Sequence, residues 1–268
     1  MQIQVLGCQG GIGEAGATTA FLINQDTLID AGSGLGHLSS AQLAEIRQVF
    51  LTHAHLDHIA FLPFLLDSQF EHFQYHPLQV FALAEVQHQL QAHIFNWHIW
   101  PDFSRLPDEN APVMHWHPIK AQQKLRLDGL QITPFALQHV VPCVGYVVQD
   151  AQACVAVCGD TGGDDTALAL LTQHLQGYQT LDAIIIECAL PDHLQALARQ
   201  SGHMTPLDIK HLHQGLPQIA HFYISHLKPR YAQAIRDQLA MHLPVETFTL
   251  LQEGDLLTFH TSERQPVS

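Results

Sequence analysis

The sequence predicts an α/β protein built from layered sheets with helices between the strands, and three observations lead there. Short β-branched runs alternate along the chain with helical apolar patterns. The 268 residues suffice for a sizeable core and show no internal repeat, low-complexity tract or linker. Histidines and carboxylates stand repeatedly at or just beyond the ends of strand runs, where a layered sheet gathers distant residues along one edge.

Ile3 to Leu6 reads as the first strand, and the glycines at 7, 10, 11, 13 and 16 make a loop after it. The spacing Gly11-x-Gly13-x-x-Gly16 imitates a dinucleotide fingerprint. A second strand, Thr19 to Asn24, follows where that motif needs a helix, so the dinucleotide reading fails. Thr27 to Asp30 pairs back through a turn at Gln25-Asp26. Asp30 is either a turn residue capping its own loop or a carboxylate that orients a ligand imidazole. Ser40 to Arg47 is a helix with Ser39 or Ser40 as its N-cap.

The strand that follows runs straight into Thr52-His53-Ala54-His55-Leu56-Asp57-His58. On an extended backbone His53 and His55 point to one side, because side chains alternate with period two. Asp57 and His58 fall at the start of a helical pattern from Ile59 to Phe70. In a chain with 21 histidines a single His-x-His pair means little. The whole motif behind a buried strand reads as a dinuclear metal site. Imidazole with carboxylate suits zinc, iron or manganese and leaves a coordination position open.

Gln79 to Ala82 is a strand and Glu85 to Phe95 a helix, followed by an aromatic segment to Phe103. All three tryptophans lie between positions 97 and 116. The cluster reads as packing or as a homodimer contact, with a base-stacking wall as the functional alternative. Leu125 to Phe135 holds strands around a turn at Asp128-Gly129, and His139 ends the apolar run after it. Gly145 to Gln149 and Cys154 to Cys158 are strands, the second ending in Gly159-Asp160-Thr161-Gly162-Gly163. There glycines allow close backbone approach, and the carboxylate can bridge two cations. Asp165 to Gln176 is a helix, and Leu181 to Ile186 a strand closed by Glu187. Helices Leu194 to Arg199 and Pro206 to Gln214 flank the loop Ser201-Gly202-His203-Met204-Thr205, with Thr205 as N-cap and Pro206 at the first helical position. His221 to Ser225 is a strand leading into His226, Tyr231 to Leu239 the last long helix, and the tail after His260 is loose.

A net charge of −14 argues against a phosphate-gripping surface for duplex DNA or structured RNA. It leaves room for a small anion beside bound cations, which reverse the local field. Five cysteines without a CxxC pair read as buried thiols in a reducing compartment. With no signal-peptide pattern and no apolar run of about eighteen residues, a cytoplasmic protein without a membrane span is expected.

The run His53-Ala54-His55-Leu56-Asp57-His58, with His139, Asp160 and His226 following in order, resembles the metallo-β-lactamase superfamily. Four segments are similar, more narrowly, to class II cyclic nucleotide phosphodiesterases: Asp30-Ala31-Gly32-Ser33-Gly34, Thr52 to Ala60, His93-Ile94-Phe95-Asn96 with Ile99 to Phe103, and Ser201 to Pro206. The resemblance implies an αββα four-layer sandwich of two mixed sheets flanked by helices. That is one domain over 1–268, with an aromatic-rich insertion around 85–118. It implies two divalent ions, zinc with manganese or iron as alternatives. One would sit on His53, His55 and His139, the other on Asp57, His58 and His226, with Asp160 between them and Asp30 behind the ligands. Asp57, His203 and Glu187 form the implied catalytic set. His203 would protonate the leaving oxygen or contact the phosphate, its bland alternative being an exposed loop histidine. Glu187 is otherwise a plain strand-end carboxylate. The implied activity is hydrolysis of 3′,5′-cyclic AMP or cyclic GMP to the 5′-monophosphate by a hydroxide held between the metals. The rivals are a tRNA 3′-processing endonuclease and a hydrolase of lactones, thioesters or β-lactams. One departure stands out: Phe61 occupies a place where the family has a small residue, which touches the shape of the pocket and not the ligands.

Overall fold

The computed structural model describes residues 1–13, 16–127, 129–217, 219 and 221–259. Asp128 of the expected turn, and the tail from His260, lie outside them. Strands β1 (Gln2–Gly7), β2 (Ala20–Ile23), β3 (Thr27–Ile29), β4 (Gln48–Phe50), β5 (Leu78–Leu83) and β6 (Met114–Ile119) cross one sheet in chain order. A second sheet holds β7 (Leu125–Leu127), β8 (Leu130–Leu137), β9 (Cys143–Gln149), β10 (Cys154–Val157), β11 (Ala183–Glu187), β12 (Phe222–Ser225) and β13 (Phe248–Leu250), again as sequence neighbours. Strand β14 (Leu256–Thr258) returns to the first sheet beside β1. Both sheets are mixed. The pairs from β3 to β6 and from β10 to β13 are parallel, and the others antiparallel.

Alternation along each strand builds three apolar layers. Phe50 points between the sheets, stacked on Phe81 at 4.4 Å and edge-on to Tyr146 at 5.5 Å between ring centroids. Its neighbours Val49 and Leu51 face the other way, into the layer beneath the helices. On that side lie α1 (Ser40–Glu45), α2 (Leu56–Ile59), α3 (Leu62–Ser68), α4 (Phe70–Phe73) and α5 (Ala84–His93), with Leu62, Leu66, Phe73 and Leu90 seated on the sheet. The opposite face carries α6 (Asp165–Gln176), α8 (Pro206–Gly215) and α9 (Ala232–His242), through Leu171, Leu212 and Ile235 among others, while α7 (Gln195–Ser201) packs through Ala198 on Ala189 and Leu190. The four-layer αββα order expected from the resemblance is therefore the observed one.

The differences are local. The helical pattern from Ile59 to Phe70 is cut into short pieces, with Pro63 opening α3, where its missing N–H costs nothing. Strand β6 was not expected, because Pro118 cannot donate to a ladder; the strand is the sheet's edge, where that is tolerated. Strands β13 and β14, three residues each, carry no periodic signal of their own. The aromatic segment splits: Phe95 and Phe103 are buried, whereas Trp97 and Ile99 are exposed. All five cysteines are free and buried. No helix among the described residues is long and apolar enough to cross a membrane.

The two sheets meet behind the motif after β4. Val144 N–H donates to the Thr52 carbonyl at 3.1 Å, and the Tyr146 hydroxyl to the Leu51 carbonyl at 2.6 Å. This ties the end of β4 to β9 across the sandwich and fixes the edge on which the site lies.

Candidate metal centre

The loop between β4 and α2 delivers His53 and His55 from extended backbone and Asp57 and His58 from the first helical turn. The β8–β9 connection contributes His139, the residues after β10 Asp160, and the residue after β12 His226. All seven converge. One potential ligand atom from each of His53, His55, His139 and Asp160 lies within 4.8 Å of the others, and the same holds for Asp57, His58 and His226. The Asp160 carboxylate sits between the two groups. Its Oδ1 is 3.3 Å from His58 Nε2, and its Oδ2 is 3.3 Å from His226 Nε2 and 3.7 Å from His53 Nε2.

Each imidazole is turned by a group behind it. Asp30 accepts from His58 Nδ1 at 2.6 Å and is itself held by the Thr52 N–H and hydroxyl, both at 2.8 Å. His139 Nδ1 donates to the Gly202 carbonyl at 2.8 Å, which leaves Nε2 as the lone pair facing Asp160. His226 Nδ1 is bonded to Thr19 Oγ1 at 3.2 Å, and His53 Nδ1 to Thr52 Oγ1 at 3.0 Å. Asp30 and His226 both hold left-handed backbone, with φ of 60° and 59°. Such conformations in non-glycine residues persist only where surrounding bonds over-determine them. Gly159 lets the Asp160 segment pass the first sheet, since a Cβ there would lie 2.7 Å from Thr52 Cβ and 2.8 Å from Cys143 Sγ.

The donor atoms fit a metal. Nε2 of His53, His58 and His226 is buried with no hydrogen-bond partner, an arrangement that costs free energy unless something else satisfies it. Burial pushes His53 well below the ordinary histidine range and His226 down to about 3, so both present neutral lone pairs. Burial opposes a charge on His58 too, yet Asp160 and Asp30 on either side lift it well above its usual value. Asp160 is buried as well, and His226 and His58 nonetheless hold it well below the carboxylate range. Cation binding would therefore expel a proton from His58. Nitrogen and oxygen donors without thiolate suit zinc, manganese or iron.

Beside this cluster lies a second acid–base pair. His203 Nδ1 is 2.8 Å from Glu187 Oε1 and 3.9 Å from Asp160 Oδ2. Burial works against the imidazolium, but the Glu187 carboxylate outweighs it and lifts His203 to about 9. Glu187, completely buried, also accepts from the backbone N–H groups of Thr161, Ala189 and Met204. Behind the loop, Arg199 grips Asp208 with two bonds, at 2.8 and 2.5 Å, while Asp208 accepts from the Thr205 N–H and hydroxyl. Thr19, the Gly202 carbonyl and the Arg199–Asp208 pair are the site groups that sequence reasoning missed. Thr19 and the Gly202 carbonyl belong to no local pattern that marks them, whereas Asp208 closes the capping box that opens at Thr205. Phe61 packs with its ring against Gly36 and Phe64.

A family model described as a beta-lactamase superfamily domain matches residues 26–227. A probable 3′,5′-cyclic-nucleotide phosphodiesterase of Yersinia pestis is 26% identical, with 96% of this chain and 89% of that protein aligned. A ribonuclease Z of Marinobacter nauticus is 32% identical over 45% of this chain and 36% of its own length. Among solved structures, unliganded yeast PDE1 superposes with a TM-score of 0.79 at 18% identity, covering 97% of this chain and 99% of that one.

Proposed function

This chain belongs to the β-lactamase superfamily, and from that premise we propose that it is a metal-dependent phosphodiesterase that hydrolyses 3′,5′-cyclic AMP or cyclic GMP to the 5′-monophosphate. One observation carries the reading: a histidine bonded at 2.8 Å to a buried carboxylate lies 3.9 Å from the shared Asp160 of the ligand cluster. Opening a cyclic phosphodiester requires a proton for the departing 3′-oxygen, and a positioned imidazolium supplies it.

His53, His55 and His139 would hold one cation, Asp57, His58 and His226 the other, and Asp160 both; zinc is the proposed metal, with manganese and iron suited to the same donors. Two divalent cations bound there supply hydroxide near neutral pH and neutralise charge on the phosphoryl oxygens. The protein's own part is positional. Asp30 and the Gly202 carbonyl fix two imidazole rings, Asp57 completes its trio from the open side, and Glu187 keeps the His203 proton in place. The five buried thiols fit a reducing, cytoplasmic setting.

The ribonuclease Z relatives favour one rival, processing of tRNA precursors. The net charge of −14 counts against it, because such substrates are gripped through their backbone phosphates. The test is turnover of cyclic AMP, cyclic GMP and a tRNA precursor by metal-reconstituted protein, with products resolved by chromatography. Formation of the 5′-monophosphate, slowed about a hundredfold or more in His203→Ala, is the expected result. Cleavage of the precursor with cyclic nucleotides untouched would overturn the reading.

A further inference from the structure

Two clefts flank the metal cluster on the side of α5, separated by a ridge of Leu56, Ile59 and Ile94 that belongs to both. One, of about 310 Å³, is closed by Phe64, Ile99 and Trp100, and contains none of the seven candidate ligands. The other, of about 360 Å³, has His55 itself as a wall. A proposed ligand thus forms one wall of the cleft, which sets the cleft beside the reaction site. Its remaining lining is apolar, Leu56, Ile94 and Val141 among it, except for Gln89 and His93.

Those two side chains stand four residues apart on α5, hence on one face of the helix. Among the described residues neither has a hydrogen-bond partner. Gln89 is half-buried and His93 exposed. Apolar walls with a few convergent polar groups are the usual make-up of a small-molecule site, and the volume lies in the common range of roughly 300–1,000 Å³. A planar heterocycle matches this lining. Its faces lie against aliphatic carbons, and its edge meets an amide that offers both a donor and an acceptor.

We infer that this cleft seats the nucleobase of the substrate, with Gln89 and His93 contacting the base edge while the phosphate lies at the metals. The inference rests on the cyclic-nucleotide reading above, and a binding measurement separates the two. Calorimetry on the metal-reconstituted protein compares adenosine 5′-monophosphate with ribose 5-phosphate, which lacks the base. The wild type is expected to bind the nucleotide at least about tenfold more tightly. Gln89→Ala and His93→Ala should each weaken the nucleotide about fivefold, the worth of one lost hydrogen bond, without moving ribose 5-phosphate. Alanine suits a helix surface, so both variants should fold. Phe64→Ala, in the neighbouring cleft, should leave both affinities alone. KM for cyclic AMP should rise in step with the loss of nucleotide affinity.

Equal binding of the two ligands by the wild type would overturn the inference. So would a loss of both ligands alike in Gln89→Ala, or a preference abolished by Phe64→Ala and untouched by Gln89→Ala. If cyclic nucleotides are not turned over at all, the catalytic reading fails. The base cleft then still stands on a nucleotide preference that Gln89→Ala removes, and falls without one.

Discussion

The two halves of the ligand cluster are anchored by different chemistry. On the half formed by Asp57, His58 and His226, the deepest ring is backed by a buried carboxylate, Asp30, at 2.6 Å. On the half formed by His53, His55 and His139, the backing groups are the neutral Gly202 carbonyl and the Thr52 hydroxyl. Either acceptor pins the ring and raises its basicity, and a charged carboxylate does the second more strongly than a carbonyl. The same carboxylate-on-imidazole device recurs at Glu187 and His203; both carboxylates favour a protonated ring, but His58 stands in the ligand set, where a cation would displace that proton. One arrangement thus serves two ends, and the orientation of the ring decides which. His58 directs its second nitrogen at Asp160, from 3.3 Å, whereas His203 turns the nitrogen it shares with Glu187 toward Asp160, from a longer 3.9 Å.

The largest effect should come from the residue that belongs to both halves. Asp160→Asn keeps the shape but removes the shared charge, and turnover of cyclic AMP should fall roughly a thousandfold. Metal content measured after dialysis should fall at both halves together. Asp30→Asn probes the asymmetry itself. It should weaken the cation held by Asp57, His58 and His226 about 10- to 100-fold and disturb the other less, so a calorimetric titration should resolve two unequal steps where the wild type shows tighter binding. Equal weakening of both steps would show that the halves are not anchored independently.

Why these halves were legible to different degrees follows from where their anchors lie in the chain. His53, His55, Asp57 and His58 announce themselves because strand period and helix start are local properties, readable within six residues of sequence. Asp30 is visible as a carboxylate ending an apolar run, although its partner His58 lies 28 positions away. The Gly202 carbonyl that holds His139 is a main-chain group 63 positions away, and no side-chain pattern encodes it. Thr19, bonded to His226 across 207 positions, looks like any strand threonine. The layers were readable for the same reason as the motif, since alternation in β4, β9 and β11 sorts apolar residues between two faces. Strand β6 was not, because Pro118 and two histidines break the expected composition of a strand on an edge that needs less of it.

A pH profile separates the two uses of the carboxylate–imidazole pair. His203 is raised to about 9 and must be protonated to donate, so activity is present below that pKa and lost as pH rises through it. Cations beside it press the same group downward, which places the alkaline limb at or below about 9. Glu187→Gln removes the charge that raises the imidazole and should move the limb to lower pH by about one to three units. Asp30→Asn should leave the limb where it is, since Asp30 acts on His58.

The smallest effect expected is also the one that tests whether a neutral anchor matters at all. Thr19 touches His226 only through its hydroxyl, at 3.2 Å, and Thr19→Val removes that contact with little change of volume. A neutral hydrogen bond contributes about 0.5–1.5 kcal/mol net, so affinity at the His226 half should fall by roughly two- to tenfold. His226 keeps its backbone bond to the Cys8 carbonyl at 2.7 Å, and its ring stays walled in by Gly10, where a Cβ would lie 2.7 Å from the imidazole Cδ2. Orientation is therefore mostly preserved, and only the hydrogen bond is lost. A drop as large as that of Asp30→Asn, read by the same titration, would mean that charge behind the ring is not what distinguishes the two halves.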